Sequence, residues 1–288
     1  MTIRTILAVV DGGPASEATV RAALMAGSGF GAHVELLHVR GEPENMVPMI
    51  GEGMSGVMVE QMLEGLRKEA VERAQAARRL YDTICVGGGW RASAGDPEAT
   101  GASVSFRESS GREEEVAAKS GRLFDLLVLA RPEGQTGSPS SVTLEGALLD
   151  SGRPVLVAPP KPADSIGKRI LIAWNGKAQG ARAVAAALPW LAKADAVTAA
   201  TVVEAHTPGR PEDLVRYLAW HGIRANPDAV PVSAAGKVGA ALIEACERAS
   251  ADLMVMGAYG HSRLREMILG GATREVLSGA PIPLLMAH

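Results

Sequence analysis

The chain has 288 residues, 47% of them hydrophobic but only 3% aromatic, and a formal net charge of −3. That length accommodates two ordinary domains, and the charge balance lacks the basic excess of a nucleic-acid binder. No apolar run approaches the ~20 residues of a membrane-spanning helix.

The first segment, Ile6-Leu7-Ala8-Val9-Val10, reads as a buried strand that opens into Asp11-Gly12 and an Ala-rich helix over 16–25. Met1-Thr2-Ile3-Arg4 leads straight into it without a cleavable apolar core, so a cytoplasmic protein is expected. Between two glycine-rich stretches, 41–56 and 87–101, apolar residues recur at helical spacing from Val59 through Leu63, Leu66, Ala70, Ala74 and Ala77 to Tyr81. This predicts a helix over 57–82 with one buried face. A second strand-like run, Asp125 to Leu129, is followed by a third, Pro154 to Ala158, and then by the linker Pro159-Pro160-Lys161-Pro162-Ala163-Asp164. Its prolines favour an extended, semi-rigid connection. Cys85 and Cys246 fit no metal-ligand spacing and read as buried small hydrophobes in a reducing compartment.

The chain then repeats itself. Ile170-Leu171-Ile172-Ala173-Trp174-Asn175-Gly176 matches Ile6 to Gly12, and the match runs on into a helix over 180–188. Asp252-Leu253-Met254-Val255-Met256 echoes Asp125 to Leu129, and Pro283 to Ala287 echoes Pro154 to Ala158. Three blocks in the same order indicate a duplicated unit, and the closer spacing of the later pairs places an insertion, about 43–100, inside the first copy. The expected layout is a first domain over 1–158, a linker over 159–167 and a second domain over 168–288. Strands near 169–174, 197–203, 229–233, 252–256 and 283–287 alternate with helices in the second copy. Apolar strands alternating with helices predict an α/β fold: two tandem doubly wound domains, each a five-stranded parallel sheet flanked by helices. Ligands of such sheets bind beyond the C-terminal strand ends, where strand order reverses, and Asn175, Val203 and Gly257 fall at that edge.

The decisive pattern follows the fourth strand of the second copy. Gly257-Ala258-Tyr259-Gly260 is followed, after nine residues, by Gly270-Gly271-Ala272-Thr273 at the start of a helix. Glycines at a strand-to-helix turn expose backbone N–H groups, and a helix N-terminus favours an anion. With the duplication, this resembles a universal stress protein of the tandem type, a family with the adenine nucleotide α-hydrolase-like architecture. The resemblance implies ATP, with or without magnesium, bound in the second copy between the strand ends Ala173-Trp174-Asn175 and Met256-Gly257. Asn175 stands where the family usually has an aspartate near the base, and Val203 offers backbone groups to adenine. Gly257 and Gly260 approach ribose and phosphates, while Gly270, Gly271, Ala272 and Thr273 present N–H groups and a hydroxyl to the phosphate tail. Gly271 departs from the family's hydroxyl residue. Arg263, Arg265 and Arg274 carry guanidiniums suited to phosphate, or else pair with Glu266 and Glu275. His261 faces phosphate or is plain surface. On this reading Gly257→Val or Gly270→Val loses the nucleotide and keeps the fold.

The first copy differs. Asp11 retains the family's acid, or organises the start of the following helix. The segment from Ala130 to Pro139 has lost the glycine spacing, Pro132 and Pro139 remove two donors, and Glu133 adds negative charge. This copy is not expected to bind ATP. No nucleophilic triad, zinc spacing or paired-carboxylate motif occurs, and no residue is placed to position a water, so any hydrolysis should be slow. The implied role is stress-related regulation through a bound adenine nucleotide; the alternative is an interaction scaffold whose glycines only form turns. Family members pair through their last strands, so 154–158 and 283–287 are expected to meet within one chain as a pseudo-dimer. Further pairing into a homodimer is left open.

Overall fold

The structure, a computed structural model, describes residues 2–42, 56–93, 101–132, 139–203, 209–232, 237–258 and 271–288. The first half runs β1 (Thr5–Val9), α1 (Ser16–Phe30), β2 (His33–Arg40), α2 (Gly56–Leu80), β3 (Ser103–Ser110), α3 (Glu113–Gly121), β4 (Leu126–Ala130), α4 (Pro139–Asp150) and β5 (Val155–Ala158). The second runs β6 (Arg169–Ala173), α5 (Ala178–Leu191), β7 (Ala196–Val203), α6 (Pro211–Trp220), β8 (Asn226–Pro231), α7 (Val238–Ala249), β9 (Leu253–Gly257), α8 (Gly271–Gly279) and β10 (Leu284–Ala287).

All ten strands form one sheet in the order β3-β2-β1-β4-β5-β10-β9-β6-β7-β8. Every pairing within a half is parallel, and β5 meets β10 antiparallel, Leu156 opposite Leu285. The last strands of the two copies thus meet in one chain, each covering an edge that would otherwise be open to pairing with another molecule. Because helices cover both faces, the central strands are apolar on both sides. Ile6, Ala8, Ile170 and Ile172 face α1 and α5, whereas Leu7, Val9, Leu171 and Met254 belong to the core on the other face. Small side chains let the helices sit close: Ala18, Ala22, Ala23 and Ala26 of α1 are all buried. The halves touch again at Phe30 and Trp190, whose rings pack edge to face at 4.8 Å. Lys193 donates to the Gly29 carbonyl at 2.7 Å and lies over the Phe30 ring.

The repeated aspartates have one structural task in both copies. Asp125 accepts from the Arg4 and Thr5 amides at 2.8 and 3.1 Å. Asp252 accepts from the Gly167, Lys168 and Arg169 amides at 3.1, 3.1 and 2.8 Å, and from the Ser165 hydroxyl at 2.6 Å. Each ties the start of the fourth strand of its half to the start of the first, and Asp252 also draws the linker's end onto the second half.

Two boundaries differ from the sequence expectation. β8 begins at Asn226 rather than 229, despite Pro227 and Pro231. It is an edge strand with β7 as its partner, where a proline's missing N–H costs no second ladder bond. The insertion helix α2 ends at Leu80, and the chain continues through a π-helical turn, Tyr81–Val86, in which the Gly87 amide bonds the Asp82 carbonyl. Of α2 itself only Leu63 and Ala77 are fully buried. Beyond the turn, Arg91 and Ser93 bond both backbone groups of Val104 and shield the β3 edge. Cys85 and Cys246 are free and buried, and burial pushes each thiol up to about 12.

Candidate functional site

In the second half, strand order reverses between β6 and β9, which pair from Ile170–Leu253 to Ala173–Met256. Their C-terminal ends frame the crevice. The turn after β6 is held by Asn175, whose Oδ1 accepts the Lys177 amide at 3.1 Å. Asp11 uses the same atom for the Gly13 amide at 2.8 Å in the first half. An amide oxygen serves this turn as well as a carboxylate, so the change to asparagine leaves the local fold intact.

Gly257, the last residue of β9, abuts the first turn of α5. A side-chain carbon added there would lie 2.5 Å from the Gly180 nitrogen and 2.7 Å from the Gln179 carbonyl carbon. The expectation that Gly257→Val spares the fold is therefore corrected: this glycine sets the approach of a helix to a strand. Gly271 is the opposite case. It is the exposed first residue of α8, and a carbon added there meets no described residue within 4 Å.

The other expected site residues divide by their side chains. Met256 and Thr273 point into the core, 5% and 6% exposed, Thr273 with Val276 and Leu277 on the buried face of α8. Only their backbones remain for a ligand. Ala272 is half-buried beside them, and Val203 is an exposed residue at the end of β7 opposite Pro231. Ala173 ends β6 and Trp174 packs against the core with its amide bonded to the Ala200 carbonyl. Gly260, His261, Arg263, Arg265 and Gly270 lie outside the described residues. The Glu275 carboxylate accepts the Gly239 amide at 2.8 Å, at the start of α7. Three buried polar atoms in this half, Trp174 Nε1, Trp190 Nε1 and Thr201 Oγ1, have no hydrogen-bond partner among the described residues. No sequence pattern marks any of the three.

Residues 223–288, which contain β8 to β10 and the glycine segment, match the universal stress protein family. A 50-residue stretch is 40% identical to a universal stress protein of Synechocystis, a match spanning 17% of this chain and 17% of that protein. A universal stress protein from Archaeoglobus fulgidus superposes over 99% of this chain and 96% of its own, with a TM-score of 0.66 at 17% identity. The family match thus covers the C-terminal segment, residues 223–288, and the likeness over the whole chain is one of fold. A putative universal stress protein from Pseudomonas aeruginosa has the same arrangement over 99% and 93% of the two chains, with a TM-score of 0.55 at 14% identity.

In the first half the equivalent crevice is narrowed from within by the insertion helix. Gly12, at φ +78°, lies against the Arg73 carbonyl of α2 and leaves no space for a side chain. The Arg73 guanidinium sits 3.7 Å from Asp11 and 2.7 Å from Glu69. A cavity of about 300 Å³ remains, lined by Asp11, His38, Arg40, Glu69, Arg73 and Glu113 among others. The insertion helix thus packs over the turn that follows β1.

Burial pushes the Glu113 carboxyl above its usual range, with Asp11 and Glu114 adding to the rise and the Thr143 hydroxyl, 2.9 Å away, opposing it. A raised carboxyl pKa favours folding below the unfolded-state value, about 4.3, and loses that contribution as pH rises through the folded-state value. Glu113→Gln keeps an acceptor for Thr143 and does not titrate. Its stability relative to the parent should therefore be higher at pH 7 than at pH 4, measured by urea unfolding at both; an equal difference at the two pH values would count against this account.

Proposed function

We propose that the second half of this protein binds an adenine nucleotide, ATP with or without magnesium, and that the bound nucleotide serves a regulatory role in stress response. The observation that carries the reading is the placing of Asn175 and Gly257 at the reversal of strand order, with the N-terminus of α8 following the glycine segment after β9. The amides at the start of α8 suit phosphate. Trp174 Nε1 can donate and Thr201 Oγ1 can donate or accept, a chemistry that suits a purine base, and the Asn175 amide nitrogen adds a donor. Gly260, Gly270, His261 and Arg263 complete the proposed set from the sequence. Bound ATP supplies charge to be read; no described residue is placed to activate a water.

The competing reading is a scaffold without nucleotide, and the packing of Gly257 against Gly180 favours it for that one glycine. Isothermal titration of nucleotide-free protein with ATP, with and without magnesium, separates the two. One site per chain is expected. Two sites would contradict the expectation that the first copy does not bind ATP, and no heat of binding with either solution would leave the scaffold.

A further inference from the structure

The residue after β4 and its counterpart after β9 make the same backbone bond. The Arg131 amide donates to the Ala158 carbonyl at 3.0 Å, and the Ala258 amide donates to the Ala287 carbonyl at 2.8 Å. Their side chains differ completely. Arg131 is 7% exposed, and its guanidinium crosses into the other half, where Nη1 donates to the Ala280 carbonyl and Nη2 to the Ile282 carbonyl at 3.0 Å. Burial alone lowers its pKa to about 10, so it remains charged at neutral pH. The two carbonyls lie immediately beyond the C-terminus of α8, where backbone oxygens lack helical partners and a cation is favoured.

α8 is nine residues long, about 13 Å, and its other end is the one assigned to phosphate. We propose that Arg131, from the half that has lost its own glycine loop, is a positioning residue for the nucleotide site of the other half, because it pins the far end of the helix that presents that site. This rests on the nucleotide reading above. The two copies are then unequal parts of one device. The first contributes a charged clamp where the second keeps a small residue, and a displacement of β4 is transmitted to α8 without any contact with the ligand.

The test compares Arg131→Met, Arg131→Lys and, as a stability control, Leu36→Ala in the full chain. Leu36 is fully buried in β2, remote from α8 in strand order. Arg131→Met is expected to weaken ATP binding by about tenfold or more, equivalent to one power of ten in Kd, and to speed amide exchange in α8. Arg131→Lys keeps the charge but has a single nitrogen for two carbonyls, and should fall between Arg131→Met and the parent. Leu36→Ala should lower the melting temperature while leaving ATP affinity and α8 exchange unchanged. If Arg131→Met does not fold, Arg131→Lys carries the comparison alone. Unchanged α8 exchange in the arginine variants would overturn the clamp, as would an equal loss of affinity in Leu36→Ala. A parent that binds no ATP would sink the nucleotide reading instead, and α8 exchange would still decide whether Arg131 holds the helix.

Discussion

Gly257→Val should lower the melting temperature by roughly 10 °C, whether or not a nucleotide is present. The valine Cβ would fall 2.5 Å from the Gly180 nitrogen and 2.9 Å from the Gln179 Cβ, with the Gln179 carbonyl carbon between them. Much of this wall is backbone at the first turn of α5, so no rotamer change relieves the contact. β9 has little freedom to retreat, because it is paired with β6 on one side and β10 on the other. Overpacking of a well-packed site costs about 1–3 kcal/mol and occasionally more; with main chain as the obstacle we place this case near 3 kcal/mol. At roughly 2–4 °C per kcal/mol for a chain somewhat shorter than this one, that gives the predicted shift. Calorimetry on the nucleotide-free protein checks it. A melting temperature within about 2 °C of the parent would show that α5 can swing away from β9, and would return Gly257 to the role of a ligand-approach glycine.

That correction shows where the sequence was informative and where it was not. The duplication was plain because the strands are buried on both faces, so each copy must repeat an apolar run of fixed length, and the Asp125 and Asp252 anchors repeat with them. The meeting of β5 with β10 followed from the family resemblance. The start of β8 was missed because Pro227 argues against a strand unless the strand is known to be at an edge. Gly257 was misjudged for a different reason. A glycine that spares a ligand and a glycine that spares a neighbouring helix leave the same letter, and only the position of Gly180, 77 residues earlier in the chain, tells them apart. Arg131 left a readable trace, an arginine where the aligned copy has Ala258, but its partners at Ala280 and Ile282 become visible only when the two halves are joined. The narrowing of the first crevice by Arg73 likewise depends on where α2 docks, which its apolar spacing does not specify.

Gly271→Asp is expected to separate binding from folding in the opposite sense to Gly257→Val. The added side chain meets no described residue, and an acidic residue in the first turn of a helix is favourable by about 0.3–1 kcal/mol. This offsets part or all of any local cost, so the variant should melt within a few degrees of the parent. The same carboxylate would stand among the amides proposed to receive the phosphates. Two unit charges about 4 Å apart repel by roughly 1 kcal/mol in water and about 4 kcal/mol near a protein surface, so ATP affinity should fall about tenfold or more. Gly271→Ala, which adds a carbon without charge, should bind as the parent does, and Gly271→Ser, which adds a neutral hydroxyl able to donate to a phosphate oxygen, should bind at least as well. Salt adds a further arm: the deficit of Gly271→Asp should shrink as ionic strength rises, because an exposed charge pair is screened over about 10 Å at 0.1 M. Titration calorimetry of the four proteins at two salt concentrations reads all of these differences. If Gly271→Asp binds ATP as tightly as the parent, the phosphates do not rest on α8, and the nucleotide must lie elsewhere in the crevice.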